Sequence, residues 1–284
     1  MKEIYEFRLN SDYAARLFEE WEGKDVGQLK KSVKVIRISR DDPRFDLIGK
    51  IDSEIRKRDK RAFFYSWSIE RTYKKHELDA ARIFHVRIRS IFEPAGEECG
   101  TEYDESVACE ICGSNRKQLG PLKLEEKSIP KRDIACTIAG EVVVSQRLKD
   151  CFERYKLAGL AFDTVMSGGK PTKFFQPRIN HPGLVLAEET IAGIDPFDYS
   201  ETADGEVYKC ERGHTIGLNL LSEVYVKADP IIAEFDFFST EQKVGVKRGL
   251  LRPQPLYVCS KALWKMVLEE KLSGFTFEVA HVKA

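Results

Sequence analysis

Two stretches of this chain carry one pattern, and the repeat limits the available folds more than any other feature. Residues 142–165 read VVVSQRLKDCFERYKLAGLAFDTV, and residues 257–280 read YVCSKALWKMVLEEKLSGFTFEVA. At a constant offset of 115 and without gaps, identities fall at Val143/Val258, Ser145/Ser260, Leu148/Leu263, Lys156/Lys271, Leu157/Leu272, Gly159/Gly274 and Phe162/Phe277.

Each copy presents the same physical signals in the same order. A short apolar run predicts a strand ending at Ser145 or Ser260, whose hydroxyl is placed to cap the first turn of a helix. Apolar residues at helical spacing follow: Leu148, Cys151, Phe152 and Tyr155 in one copy, Leu263, Met266 and Val267 in the other. Gly159 or Gly274 then stops the helix, and an alternating segment predicts a second strand. Upstream, Asp133-x-x-x-Thr137 and Asp236-x-x-x-Thr240 extend the likeness, so the copies run over 133–165 and 236–280. Two copies are too few for a solenoid. The expected class is α+β, with duplicated strand–helix–strand modules packed as a pseudo-symmetric pair and joined by a cysteine-bearing loop.

The repeat also accounts for two of the seven thiols. Cys259 aligns with Val144 and Cys151 with Met266, while Cys136 sits in the apolar run Ile134–Ile138. All three read as small buried hydrophobes.

The other four cysteines bear ligand chemistry. Cys109-x-x-Cys112-Gly113 has the form of a zinc knuckle: two thiolates three residues apart grip one ion, and the glycine supplies a turn with φ > 0. Cys99-Gly100 looks like the second half of another knuckle, with Gly96 standing where its first cysteine would be. The segment Cys210-Glu211-Arg212-Gly213-His214 is the other place where ligand types meet. Two sets are open: Cys99, Cys109 and Cys112 completed by Cys210 or His214, or Cys109, Cys112, Cys210 and His214 without Cys99. Either gives four protein ligands, the closed shell of a structural Zn2+ rather than the open shell of a catalytic one.

A length of 284 residues suits one or two domains. With 46 basic and 46 acidic residues, the chain has no overall field favouring nucleic acid or membrane. Between Lys24 and Arg89, however, 19 Lys/Arg stand against 10 Asp/Glu. The expected organisation is a basic N-terminal α+β region over 1–92, followed by the knuckle and repeat over 93–284. The N-terminal region reads as a strand over 1–9, a helix near 13–18, a strand over 33–38, a helix over 72–82 and a strand over 83–91. Arg56–Arg61 precedes Phe63, Phe64, Tyr65 and Trp67, a mixture that single-stranded nucleic acid binders use. It also arises where a solvated helix face leads into a buried aromatic strand, the reading that overall neutrality favours.

The opening MKEIYEFRLN is too charged for a signal peptide, and no apolar run reaches the roughly 18 residues of a membrane span. The expected location is therefore cytoplasmic, and an odd number of cysteines in such a chain argues against a disulfide framework. No nucleophile elbow, H-E-x-x-H, Walker loop or dinucleotide fingerprint is present. Ser167-Gly168-Gly169-Lys170-Pro171-Thr172 lacks the phosphate-loop spacing. The chain reads as a non-enzyme.

Four pieces, G-E-E-C-G-T (96–101), C-E-I-C-G (109–113), D-I-A-C-T followed by V-V-V-S-Q-R-L (133–148) and G-L-A-F-D-T-V (159–165), resemble bacterial proteins with a double C-x-x-C-G motif. Some of these are similar to immunity proteins of toxin systems. The resemblance implies a zinc-stabilised, non-catalytic binding protein whose partner is a cognate toxin. Gly96 departs from the pattern by removing one cysteine of the first motif. The alternative expectation is a nucleic-acid-binding protein using the zinc loop and the 56–67 stretch.

Overall fold

In the computed structural model, residues 1–26, 33–197, 202–203 and 206–284 are described. The chain divides into two units, one formed by Met1–Leu78 with Asp195–Asp198 and one by Asp79–Ile194 with Tyr199–Ala284. The division thus falls at residue 78, ahead of the expected 92, and the strand over 83–88 belongs with the second unit.

The first unit runs β1 (Lys2–Asn10), α1 (Ser11–Ala14), β2 (Lys24–Val26), β3 (Val33–Ser39), α2 (Phe45–Asp59) and β4 (Phe64–Thr72), and α3 (Lys75–Ala80) leads out of it. Its antiparallel sheet has the order β2-β3-β1-β4, the arrangement of a split β-α-β domain. Period-two alternation puts Tyr5, Phe7 and Leu9 of β1 and Ile36 and Ile38 of β3 in one core with Phe45, Ile48 and Ile55 of α2. Buried Asp52 accepts hydrogen bonds from Arg56 Nε (2.5 Å) and the Phe63 amide (2.8 Å), tying the middle of α2 to the residue that precedes β4.

The second unit contains β5 (Ile83–Ile88), β6 (Ile91–Phe92), β7 (Glu102–Asp104), β8 (Lys117–Leu119), β9 (Ile134–Thr137), β10 (Val142–Ser145), α4 (Gln146–Arg154), β11 (Leu160–Ser167) and β12 (Lys170–Ile179). Its later elements are β13 (Val224–Lys227), β14 (Phe237–Val244), β15 (Gln254–Ser260), α5 (Lys261–Glu269) and β16 (Phe275–Lys283). Two five-stranded sheets result, ordered β11-β12-β10-β9-β6 and β13-β16-β5-β15-β14, each with an apolar cluster of its own. The protein is therefore mixed α+β and mostly sheet.

The two sheets share a register. Val144 and Ser145 of β10 face Phe175 and Phe174 of β12; Cys259 and Ser260 of β15 face Phe84 and Ile83 of β5. Phe162 pairs with Pro177 on one side and Phe277 with Val86 on the other. Ion pairs sit at matching places, Arg178 with Asp163 (3.1 Å) and Arg87 with Glu278 (2.7 Å). In the first sheet the strand between β11 and β10, β12, follows β11 through a tight hairpin, whereas the strand in the matching position of the second, β5, precedes both strand–helix–strand segments in sequence.

Both serine caps form: Ser145 Oγ accepts from the Leu148 amide and Ser260 Oγ from the Leu263 amide. Each hydroxyl also donates to an aspartate, Ser145 to Asp133 (2.9 Å) and Ser260 to Asp236 (2.5 Å). The second carboxylate oxygen of each aspartate then reaches across to the other strand–helix–strand segment. Asp133 accepts from the Ser273 amide (2.7 Å) and Asp236 from the Ala158 amide (2.9 Å), and these two loop positions are themselves equivalent at the offset of 115. The adjoining glycine is held tightly: Gly274 has φ +98°, and a Cβ there would stand 2.1 Å from the Ile134 carbonyl oxygen.

Candidate metal centre

Two turns of similar construction face each other in the second unit. The first lies in the loop that joins β7 to β8. Its Cys109 amide donates to Ser114 O (2.8 Å) and the Gly113 amide to Cys109 O (2.7 Å). The second closes on a bridge between Lys209 and Ile216, with the Cys210 amide donating to Thr215 O (3.0 Å) and the Gly213 amide to Cys210 O (2.8 Å). Gly113 and Gly213 take φ of +68° and +78°. Lys243 of β14 connects the pair: its amide donates to His214 O and its Nζ to Asn115 Oδ1, both at 2.8 Å.

This construction brings Cys109, Cys112, Cys210 and His214 together, with all ligand atoms within 4.8 Å of one another. Cys109 Sγ to Cys210 Sγ is 3.9 Å, Cys112 Sγ to His214 Nδ1 is 3.9 Å and Cys210 Sγ to His214 Nδ1 is 3.8 Å. A tetrahedron with metal–sulfur bonds of about 2.3 Å has edges of about 3.8 Å, so the spacing suits one tetrahedral ion. It does not suit a disulfide, whose sulfurs lie about 2.05 Å apart, and all seven cysteines are free. The three sulfurs belong to buried residues and His214 is half-buried.

The electrostatics favour thiolate at one corner. Burial raises the Cys109 thiol, but the amides of Cys112 and Ile111 and the His214 ring outweigh it and bring the group down to about 6. Around Cys210 the balance runs the other way. Burial and the neighbouring Cys112 and Cys109 sulfurs raise it, against the amides of Arg212 and His214. Backbone N–H groups aimed at sulfur are what a thiolate ligand needs in a protein interior. The residues present therefore fit a divalent ion with soft ligands.

Cys99 is not one of the four. Its amide donates to Ala95 O and Gly96 O, and its thiol is raised by burial with the Glu125 amide opposing. A Cβ added at Gly96 would stand 2.8 Å from Leu122 Cδ1 and 2.9 Å from Thr101 Oγ1, so the missing cysteine of the first motif has no ready space. Cys151 and Cys259 are buried as expected, whereas Cys136, on the strand face opposite the core residue Ala135, is half-buried; burial pushes Cys136 up to about 12 and Cys259 well above its ordinary value.

The basic stretch divides by burial. Arg56, Lys57 and Arg58 occupy the last turn of α2, while Phe63 and Phe64 lie in the core at 0% and 5% exposure. Two of the four rings that a stacking surface would need are thus unreachable. No helix of the described residues is long and apolar enough to cross a membrane. No protein-family model matches the chain, and no curated protein matches it either.

Proposed function

We propose that the chain is a non-catalytic binding protein whose second unit is stapled by a structural Zn2+ held by Cys109, Cys112, Cys210 and His214. The observation that carries this reading is the donor set itself: three sulfurs and one imidazole at tetrahedral spacing complete the shell of one ion. A shell filled by four protein ligands leaves no position for water or substrate, and the ion's role is to hold two distant turns together. Zinc fits the mixed sulfur–nitrogen set better than a harder cation, which prefers oxygen.

The partner class follows from the resemblance to double C-x-x-C-G proteins. The reading is of an immunity protein, cytoplasmic and acting by occupying the working surface of a cognate toxin. The two strand–helix–strand segments are copies of one module, the second completed by β5 in place of a hairpin strand. Their matching registers and reciprocal aspartate bonds support that origin.

Co-expression with candidate toxins tests the function. Survival of cells carrying both, and death of cells carrying the toxin alone, is the expected result. Unprotected cells that contain folded, zinc-loaded protein would end the immunity reading and leave the metal site standing. Metal analysis of purified protein checks the latter, with about one zinc per chain expected for a single four-ligand site.

A further inference from the structure

Trp21 is 82% exposed, far more than any other large apolar side chain among the described residues. The other tryptophans behave ordinarily, Trp67 half-buried against the first unit's core and Trp264 stacked on Phe84 at 4.6 Å. The exposure of Trp21 does not come from a loose loop. Lys34, itself 7% exposed, donates Nζ to both Glu19 O and Glu20 O at 2.8 Å, so a buried ammonium holds the two successive carbonyls that precede Trp21.

The turn is locked from its other side as well. The Glu22 amide donates to Glu19 O (3.1 Å), and the Glu19 amide donates to the Glu22 carboxylate (2.8 Å). Arg44 joins Glu22 at 2.7 Å to Asp42 at 2.9 Å and lies over the ring of buried Phe18. A buried lysine and an arginine bridge thus fix the backbone that directs the largest apolar side chain into water. Such a residue, unfavourable to the isolated chain and already ordered, has the character of a binding anchor: tryptophan dominates interface energetics, and a pre-formed turn lowers the entropy lost on docking. The turn itself also carries acidic side chains. Glu19 and Glu20 are exposed on the same turn, and Lys24 is the only cation between Glu19 and Asp25.

We infer that Trp21 is the anchor by which this chain docks on a basic protein partner, its indole entering an apolar pocket rimmed by lysine or arginine. This rests on the reading of the chain as a partner-binding protein, and it places the contact on the first unit, remote in sequence from the metal ligands.

The test places a photo-crosslinking amino acid at exposed position 24 of the full chain in its own cell, leaving Trp21 intact, with exposed Ser53 as a control site. The expected result is one protein adduct specific to position 24, from a partner of isoelectric point above about 9. The purified partner should bind Trp21→Ala at least ~30-fold more weakly than the parent, with the thermal unfolding of the variant unchanged. A Glu19→Lys/Glu20→Lys double variant should slow association at low salt. No adduct, the same adduct from both sites, an adduct with a second copy of this chain or with nucleic acid, or undiminished binding by Trp21→Ala overturns the inference. The two readings fail separately. A basic partner that is not a toxin ends the immunity reading and keeps the anchor, whereas a toxin bound equally well by Trp21→Ala does the reverse.

Discussion

At the scale of single residues, the four candidate ligands differ in what their removal predicts. Cys112→Ser and Cys210→Ser each take one sulfur from a shell that already holds its minimum of four, so bound zinc should fall from about one per chain to a small fraction. Cys99→Ser, outside the group, should leave metal content unchanged. Equal losses from all three variants would mean that the cluster is misassigned. Cys109 adds a spectroscopic prediction. With its thiol brought down to about 6, the metal-free protein should show a step in thiolate absorbance near 240 nm centred close to pH 6, absent from Cys109→Ser. A first step appearing only above pH 8 would show that the amides of Ile111 and Cys112 do not hold a thiolate there.

At the scale of elements, the crossed aspartates make the sharpest prediction. Asp133 and Asp236 each join a helix-capping serine of one copy to a loop amide of the other, so Asp133→Asn and Asp236→Asn should each destabilise by roughly 1.5–3 kcal/mol, the range for hydrogen bonds to charged groups. A loss from only one of them in denaturant titrations would count against the proposal that the two segments are copies of one module. Gly274→Ala should cost more than Gly159→Ala, because its Cβ would meet the Ile134 carbonyl at 2.1 Å, against 3.0 Å to Phe237 O at the other site. Much of this scale was legible in sequence. The serine caps, both helices and the strands beside them follow from local periodicity and capping chemistry, which depend on neighbours a few residues away. The role of β5 was not legible. Ile83–Ile88 alternates as a strand should, but its place between β15 and β16 depends on a register nearly 200 residues away, which local patterning does not encode. The same limit applied to the metal site. Ligand spacing marked out both turns, yet Cys99 and Cys210 could be told apart only once the backbone had folded.

At the scale of the whole molecule, an ion held by the four candidate ligands would join two turns about a hundred residues apart in a unit whose two sheets otherwise meet through hydrogen bonds and packing. Cross-linking so long a segment removes more chain entropy from the unfolded state than a local bridge would, although the dependence on loop length is only logarithmic. Every candidate ligand lies in the second unit, so its unfolding transition is the one expected to respond. Free zinc held at about a thousand times its dissociation constant stabilises a folded state by about 4 kcal/mol. In a domain of roughly 200 residues, each kcal/mol moves the midpoint by about 2–4 °C. Differential scanning calorimetry with buffered zinc and with a chelator should therefore show a downward shift of roughly 8–16 °C on metal removal. The Cys112→Ser protein, unable to complete the shell, should unfold near the chelated parent in both buffers. A parent midpoint that ignores the chelator would mean that the paired sheets hold the two turns unaided, and that the four ligands converge for a purpose other than stability.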